Sequence, residues 1–113
     1  MTKGKIVLLP FPFDNLSSVK VRPVVCLTEP IGQYNHIIVS FITSRIPIDG
    51  QETDILIDNQ HLEFSATGLK ATSVLRLHRL MTIAENIIRR ELGELPNDLK
   101  QQIDERLKKL FEL

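Results

Sequence analysis

Short apolar runs, separated by proline, glycine and polar residues, recur along the first two thirds of the chain. Each run is too short for a typical helix, and the last one partly alternates between apolar and polar positions, as a half-buried strand does. This pattern predicts strands over residues 5–9, 21–27, 36–42, 54–57 and 74–79, the last within a longer apolar run over residues 73–83.

The end of the chain has a different period. Leu99, Ile103, Leu107 and Leu110 follow one another at intervals of four, four and three residues, which places them on one face of a helix. Asn97 precedes them and is a favourable N-cap residue. The pattern therefore predicts an amphipathic C-terminal helix capped by Asn97.

Local signals refine the boundaries between these elements. Pro10 and Pro12 exclude a central strand at their positions and predict that the first strand ends there. Thr82 and Glu85 have capping-box spacing, which predicts a short helical turn over residues 84–88 with Thr82 as its N-cap. Residues 89–95 either extend that turn or form a short strand around Gly93.

Five or more short strands followed by one helix predict a mainly β protein, a small, partly open β-barrel with the helix packed on it. We expect a single domain over residues 1–113. The strand spacing leaves SH3-like and OB-like barrels equally open.

Composition narrows the class of protein. The chain is 42% hydrophobic, as soluble globular proteins are, and no stretch reaches the roughly 18 apolar residues of a membrane span. The N-terminus lacks the apolar region of a secretory signal, so we expect a cytoplasmic protein. Cys26, the only cysteine, lies in an apolar run and is expected to be a small buried side chain.

The equal numbers of basic and acidic side chains, 14 of each, argue against a protein that binds nucleic acid by bulk charge. Their distribution is uneven, because residues 1–48 carry five basic and two acidic side chains. A local basic surface in this half is compatible with the neutral total, and ordinary solvated charge is the alternative.

Candidate chemistry begins at Arg22-Pro23, at the start of the second predicted strand. The proline favours an extended backbone at Arg22, so its guanidinium is expected to be held at the strand entrance. Thr43 and Ser44 follow the third strand. A guanidinium and two hydroxyl groups suit a phosphate group, although each dipeptide alone is common.

Other kinds of site have little support. The sequence contains no Cys-x-x-Cys motif, no histidine pair at ligand spacing and no glycine-rich phosphate loop, so we expect neither a metal nor another cofactor. His78 lies among basic residues and is the histidine best placed to act as an acid or base, while a surface role is the simpler interpretation.

Taken in order, these segments resemble the PemK/MazF family. The resemblance is carried by Gly4-Lys5-Ile6-Val7-Leu8, Pro12-Phe13, Arg22-Pro23-Val24-Val25, Ile42-Thr43-Ser44, Gly68-Leu69 with Ser73, and Leu92-Gly93-Glu94-Leu95 before the final helix. It implies an SH3-like barrel with helices, the toxin of a type II toxin–antitoxin pair. It also implies a homodimer that binds a cognate antitoxin, and DNA together with that antitoxin.

The resemblance further implies a sequence-specific, metal-independent endoribonuclease that cuts single-stranded RNA, leaving 2′,3′-cyclic phosphate and 5′-hydroxyl ends. Arg22 and Thr43 correspond to the central catalytic residues of the family, and Ser44 is adjacent. The loop before Arg22 is expected to lie over the RNA. The expected RNA-binding residues are Asn15, Ser17, Ser18, Lys20, Arg45, Lys70, Ser73 and His78.

The chain departs from the family pattern at one place. Some ribonuclease members carry Arg-x-Asp where this chain has Ala71-Thr72-Ser73. A serine cannot supply the carboxylate base that the aspartate would provide. A toxin that binds a larger enzyme such as gyrase, or a barrel that only binds its antitoxin, is therefore the alternative to a ribonuclease.

Overall fold

The computed structural model describes residues 1–11 and 20–113. These residues form one antiparallel sheet in the order β4-β5-β3-β2-β1-β6, which curls into a partial barrel with a helix packed on it. The prediction of a mainly β barrel with a C-terminal helix is confirmed. The elements are β1 (Lys5–Phe11), β2 (Lys20–Cys26), β3 (His36–Thr43), β4 (Asp54–Ile57), β5 (Ser73–Ala84), β6 (Arg90–Glu94) and α1 (Asn97–Leu110).

Alternating apolar residues give the sheet two buried faces. On β2, Val25 packs in a cluster that includes Leu99 and Ile103 of α1, whereas Val24 and Cys26 pack in a second cluster on the opposite face. The period-two pattern therefore places neighbouring residues in different clusters. Cys26 is fully buried, as predicted, and burial raises the pKa of its thiol to about 11, so it remains protonated at neutral pH.

Strand β1 continues further than the sequence predicts. Pro10 lies inside it, opposite Val21 of β2. The proline is tolerated because β6 pairs with β1 only as far as Leu8. The β6 ladder therefore needs no hydrogen bond donated from the position of Pro10, and its missing N–H costs the sheet nothing there. The prediction that the strand ends at Pro10 is therefore wrong.

Two predicted helix caps are also wrong. Thr82 lies within β5, and the helical turn is a 3₁₀ turn over Glu85–Ile87 that begins after Ala84, without a side-chain cap. Asn97 is the first residue of α1 rather than its cap, and Pro96 holds the cap position. Between these elements, the strand alternative around Gly93 is the one found, as β6.

Two glycines allow a 3₁₀ turn, Phe64–Thr67, to pack closely against β6. Gly68 has a φ of 73°, and a Cβ on it would lie 2.3 Å from the carbonyl oxygen of Leu92. A Cβ on Gly93 would lie 2.1 Å from the carbonyl oxygen of Ala66. Since neither contact is sterically possible, only glycine allows the turn to approach the strand this closely.

No helix among the described residues is long and apolar enough to cross a membrane.

Candidate functional site

A cleft opens at the point where β2 and β3 stop pairing. In the ladder between these two strands, Val24–Cys26 of β2 pairs with Val39–Phe41 of β3. The next residues of β3, Ile42 and Thr43, pair with β5 alone. The space left between the strands is part of a cleft of about 810 Å³. Its remaining lining comes from the loop at residues 68–71, from Ser73, and from Leu8, Arg90 and Leu92.

This cleft collects most of the residues that the sequence predicts for the site. Its lining includes all three predicted catalytic residues, Arg22, Thr43 and Ser44. It also includes four of the predicted RNA-binding residues: Lys20, Arg45, Lys70 and Ser73. These come from β2, the end of β3, the loop before β5 and the start of β5, so the fold brings together positions far apart in sequence.

The other predicted RNA-binding residues are not in this set. His78 is exposed on β5 in the irregular stretch between two segments of its pairing with β3, and it does not line the cleft. Asn15, Ser17 and Ser18 lie outside the described residues.

The cleft is strongly cationic. Its described lining contains five basic side chains and no aspartate or glutamate; the basic ones are Lys20, Arg22, Arg45, Lys70 and Arg90. Within the described part of the chain, none of these five forms an ion pair. The cleft therefore presents uncompensated positive charge to an anionic ligand.

Several cations elsewhere on the molecule are paired with carboxylates. Lys5 bonds Glu91 at 3.0 Å, and Arg76 bonds Asp54 at 3.2 Å. Lys100 and Glu94 form a close ion pair, which lowers the pKa of Glu94. Although the chain is neutral overall, the cleft is basic because the acidic side chains of the described residues lie outside its lining.

Arg22 is held by the backbone of β2. It lies opposite Leu9 of β1 and is followed by Pro23, which lies opposite Leu8. The pairing with β3 begins only at Val24, so the missing N–H of Pro23 faces no partner strand and leaves this edge open to the cleft. The Arg22 side chain is exposed.

Thr43 and Ser44 have different surroundings. The Oγ1 atom of Thr43 accepts a hydrogen bond from the Arg45 N–H at 3.1 Å and lies 3.3 Å from the Arg45 carbonyl oxygen, to which it donates. This closes a tight turn that orients Arg45. Ser44 is exposed beside it in the lining. The turn therefore places hydroxyl donors and a guanidinium at the same wall.

Ser73 lines the cleft, but its hydroxyl is already used. It is nearly fully buried, and its Oγ donates to the Ala71 carbonyl at 2.9 Å. This bond shapes the loop that carries Lys70. The contribution of Ser73 to the cleft is therefore structural in this conformation.

A group of potential metal ligands lies away from the cleft. Ligand atoms of His61, Glu63 and Asp98 all lie within 4.8 Å of one another. The imidazole is already committed, since Nδ1 accepts the Glu63 N–H at 3.0 Å and Nε2 lies 2.9 Å from an Asp98 carboxylate oxygen. The hydrogen bond from His61 lowers the pKa of Asp98. This arrangement ties the loop to the start of α1 and leaves no imidazole nitrogen free for a metal.

Sequence reasoning missed Arg90. It is the first residue of β6 and lies opposite Leu8, next to the cleft floor. The only signal was the Arg89-Arg90 pair. Local sequence does not say which of two adjacent arginines faces a cleft, because this depends on the register of β6 against β1.

Several solved structures have the same fold. The chain superposes on the Mycobacterium tuberculosis toxin MazF-mt6 with a TM-score of 0.72 at 22% identity, covering 96% of this chain and 97% of that one. An endoribonuclease in complex with its cognate antitoxin, from a mycobacterial species, gives a TM-score of 0.75 at 11% identity, with coverage of 100% and 96%. A chain of the MazE–MazF crystal structure from Deinococcus radiodurans gives a TM-score of 0.69 at 19% identity, with coverage of 98% and 94%. At these identities the likeness establishes the fold.

No curated protein sequence matches the chain. The family is established by a sequence model instead. Residues 2–111 match the model for PemK-like, MazF-like toxins of type II toxin–antitoxin systems. The chain belongs to this family, and the resemblance seen in the sequence is confirmed.

Proposed function

We propose that this toxin is a metal-independent endoribonuclease that cleaves single-stranded RNA at specific sequences and leaves 2′,3′-cyclic phosphate and 5′-hydroxyl ends. The observation that carries the proposal is the meeting of Arg22, Thr43 and Ser44 in a cationic cleft whose described lining has no carboxylate. An RNA strand supplies the negative charge that such a cleft attracts. Family membership and the solved structure of a related endoribonuclease support the same activity.

The proposed reaction is an in-line transfer at phosphorus. The ribose 2′-oxygen bonds to the adjacent phosphorus, and the bond from phosphorus to the 5′-oxygen breaks. Negative charge builds on the non-bridging oxygens, where the planar guanidinium of Arg22 donates paired hydrogen bonds. Ser44 donates a further hydrogen bond to the same oxygens. Thr43 does so when its O–H turns from the Arg45 carbonyl to the phosphate, while its oxygen still accepts the Arg45 N–H.

Proton transfer falls to water in this scheme. The described lining of the cleft contains no carboxylate, imidazole or thiol group, so it offers neither a conventional general base nor ligands for a metal ion. The 2′-proton passes to water, and the 5′-oxygen receives a proton from water as it leaves. Arg22 and the hydroxyl groups then act only on the phosphate.

We further propose that the chain is one domain and works in the cytoplasm as a homodimer. Its proposed partner is a cognate antitoxin that covers the cleft. The toxin and the antitoxin together are proposed to bind DNA. The mycobacterial endoribonuclease bound to its cognate antitoxin and the MazE–MazF complex support such a partner. The remaining proposed RNA-binding residues, Asn15, Ser17, Ser18 and His78, would extend the contact beyond the cleft.

The decisive experiment incubates the purified protein with a defined set of single-stranded RNAs in EDTA and maps the new ends. We expect cuts at a short recurring sequence, with cyclic phosphate on one side and a 5′-hydroxyl on the other. Arg22→Ala should lower the cleavage rate by about a hundredfold or more, since loss of one charge-stabilising donor typically has that effect. Arg22→Lys should also lose most activity, because a lysine cannot form the paired geometry.

The control is the fold of each variant. Arg22 is exposed and makes no ion pair among the described residues, so both variants should keep the wild-type circular dichroism spectrum and melting temperature. Arg22→Ala protein that cuts RNA at the wild-type rate would exclude the proposed mechanism.

The second candidate function is a toxin that binds a target without cleaving it. The observation in its favour is the absence of an acid or base group in the described lining, together with Ser73 at the position of the family aspartate. This alternative predicts intact RNA after incubation at any pH, together with growth arrest that persists in the Arg22→Ala variant.

A further inference from the structure

From Arg89 to Leu92, every second side chain at the start of β6 borders the cleft. Arg90 and Leu92 line the cleft, whereas Arg89 and Glu91 do not. Glu91 instead bonds Lys5 at 3.0 Å. The register with β1 shifts at Leu92, where β6 contains one extra residue between the pairs Ile6–Gly93 and Val7–Glu91. Such a bulge re-aims side chains locally, and here Leu92 and Arg90 both border the cleft.

The positive charge of Arg90 is not neutralised by its acidic neighbours. Glu91 is paired with Lys5, and Glu94 is paired with Lys100. Arg90 itself is exposed and forms no ion pair with any described residue. A free guanidinium on a rigid strand, bordering a cleft without acidic residues, is a strong site for a phosphate group.

Arg90 and Arg22 lie on either side of β1. Arg22 is opposite Leu9 and Arg90 is opposite Leu8, so one strand separates them. Neighbouring strands are about 4.8 Å apart, which puts the two Cα atoms roughly 10 Å from each other. Leu8 and Leu9 point to opposite faces of the sheet, so the side chains of Arg90 and Arg22 start from opposite faces and border the cleft at different places.

We propose that Arg90 binds a backbone phosphate of the RNA other than the scissile one, and so sets the position of the strand for attack at Arg22. This inference rests on the proposed RNA substrate. It makes Arg90 a substrate-binding residue that supplies affinity without base selectivity, because a phosphate carries no sequence information.

The test compares Arg90→Ala with Arg89→Ala. Arg89 and Arg90 are adjacent, and only Arg90 lines the cleft. The two variants are therefore matched for charge and for position in the chain. Binding is measured by fluorescence anisotropy with a 2′-O-methyl RNA of mixed sequence, which cannot be cleaved because its 2′-oxygen is blocked. The titration is repeated over a range of salt concentrations.

For Arg90→Ala we expect about tenfold weaker binding, the effect of losing one charge-assisted hydrogen bond. The slope of log K against log salt should become shallower by about 0.7, the value for one phosphate contact on a single strand. Arg89→Ala should match the wild type in both measurements. Arg90→Lys should restore the salt slope, since a lysine keeps the charge.

Cleavage kinetics then separate binding from chemistry. We expect Arg90→Ala to raise KM with kcat nearly unchanged, whereas Arg22→Ala lowers kcat. Binding and salt slope equal to wild type in Arg90→Ala would overturn the inference. A fall in kcat at constant KM would also overturn it, because Arg90 would then act on the scissile phosphate. If the wild type binds RNA through Arg90 but never cleaves it, the proposed function fails, while the assignment of Arg90 as a phosphate-binding residue stands.

Discussion

Thr43 has two tasks in one side chain. Its hydroxyl group closes the turn to Arg45, and it lies in the lining of the cleft beside Ser44. The hydrogen bond from the Arg45 N–H therefore also fixes the Thr43 oxygen at the wall of the cleft, where we propose that the scissile phosphate binds.

Two substitutions separate the effect of the Thr43 hydroxyl group from the effect of the shape of the side chain. Thr43→Ser keeps the hydroxyl, and Thr43→Val keeps the shape but removes it. We expect Thr43→Val to lower kcat for RNA cleavage by about tenfold to a hundredfold, since a hydrogen-bond donor to the transition state is lost. Thr43→Ser should stay near the wild-type rate. Equal rates for valine and threonine would show that the hydroxyl does not act in cleavage.

At the scale of elements, the wall of the cleft depends on the contact between the turn Phe64–Thr67 and β6. Gly68 and Gly93 allow this contact. The same loop continues to Lys70, and Ser73 holds it through the Ala71 carbonyl. A substitution at this contact is therefore expected to alter the position of Lys70 in the cleft.

Gly68→Ala tests this connection. The added Cβ would collide with the Leu92 carbonyl, and the φ of 73° is unfavourable for alanine. We expect a loss of about 2 kcal/mol or more in the free energy of unfolding, with weaker binding of the 2′-O-methyl RNA. Gly50→Ala is the matched control, because a Cβ there would meet nothing within 4 Å and its φ is not in the left-handed region. Equal stability of the two variants would contradict this account of the loop.

At the scale of the whole molecule, the charges are separated although their sum is zero. The basic side chains of the cleft face no acidic partner among the described residues, while carboxylates elsewhere stabilise the fold. Glu29 is one of these carboxylates. It accepts the Thr2 N–H at 2.8 Å and the Lys3 N–H at 2.9 Å, and so fastens the start of the chain to the segment after β2.

The stability of this link depends on pH. The backbone hydrogen bonds from Thr2 and Lys3 lower the pKa of Glu29 below its usual range. A carboxylate with a lowered pKa in the folded state stabilises the fold above its unfolded pKa of about 4.3 and loses this contribution as the pH falls through the folded value. Glu29→Gln should therefore reduce the urea midpoint at pH 7, and the difference from wild type should disappear in strong acid.

Glu105→Gln provides the control for this measurement. Glu105 is exposed on α1 and forms no ion pair with another described residue, so its substitution should leave the urea midpoint unchanged at both pH values. A difference between Glu29→Gln and wild type that persists unchanged at low pH would exclude the carboxylate as its cause.

The amino-acid sequence by itself determined the mainly β class, the central strands, the C-terminal helix and the burial of Cys26. These follow from hydrophobic period, which is local along the chain. The same local reasoning failed for Pro10, Thr82 and Asn97. Pro10 and Thr82 pair with neighbouring strands, and this pairing outweighed the preference of each residue. At Asn97 the helix begins one residue earlier than the cap signal indicates.

Only the tertiary structure decided which cations form the cleft. The sequence predicted Arg22, Lys20, Arg45 and Lys70 as members of a site, partly through resemblance to the family, but not that Arg90 would join them. Arg90 reaches the cleft because β6 pairs with β1 after a shift in register, and no local pattern encodes the register of two strands that are more than eighty residues apart. The excess of positive charge in the cleft is likewise decided by the tertiary structure, because the fold sets the distance between acidic and basic side chains.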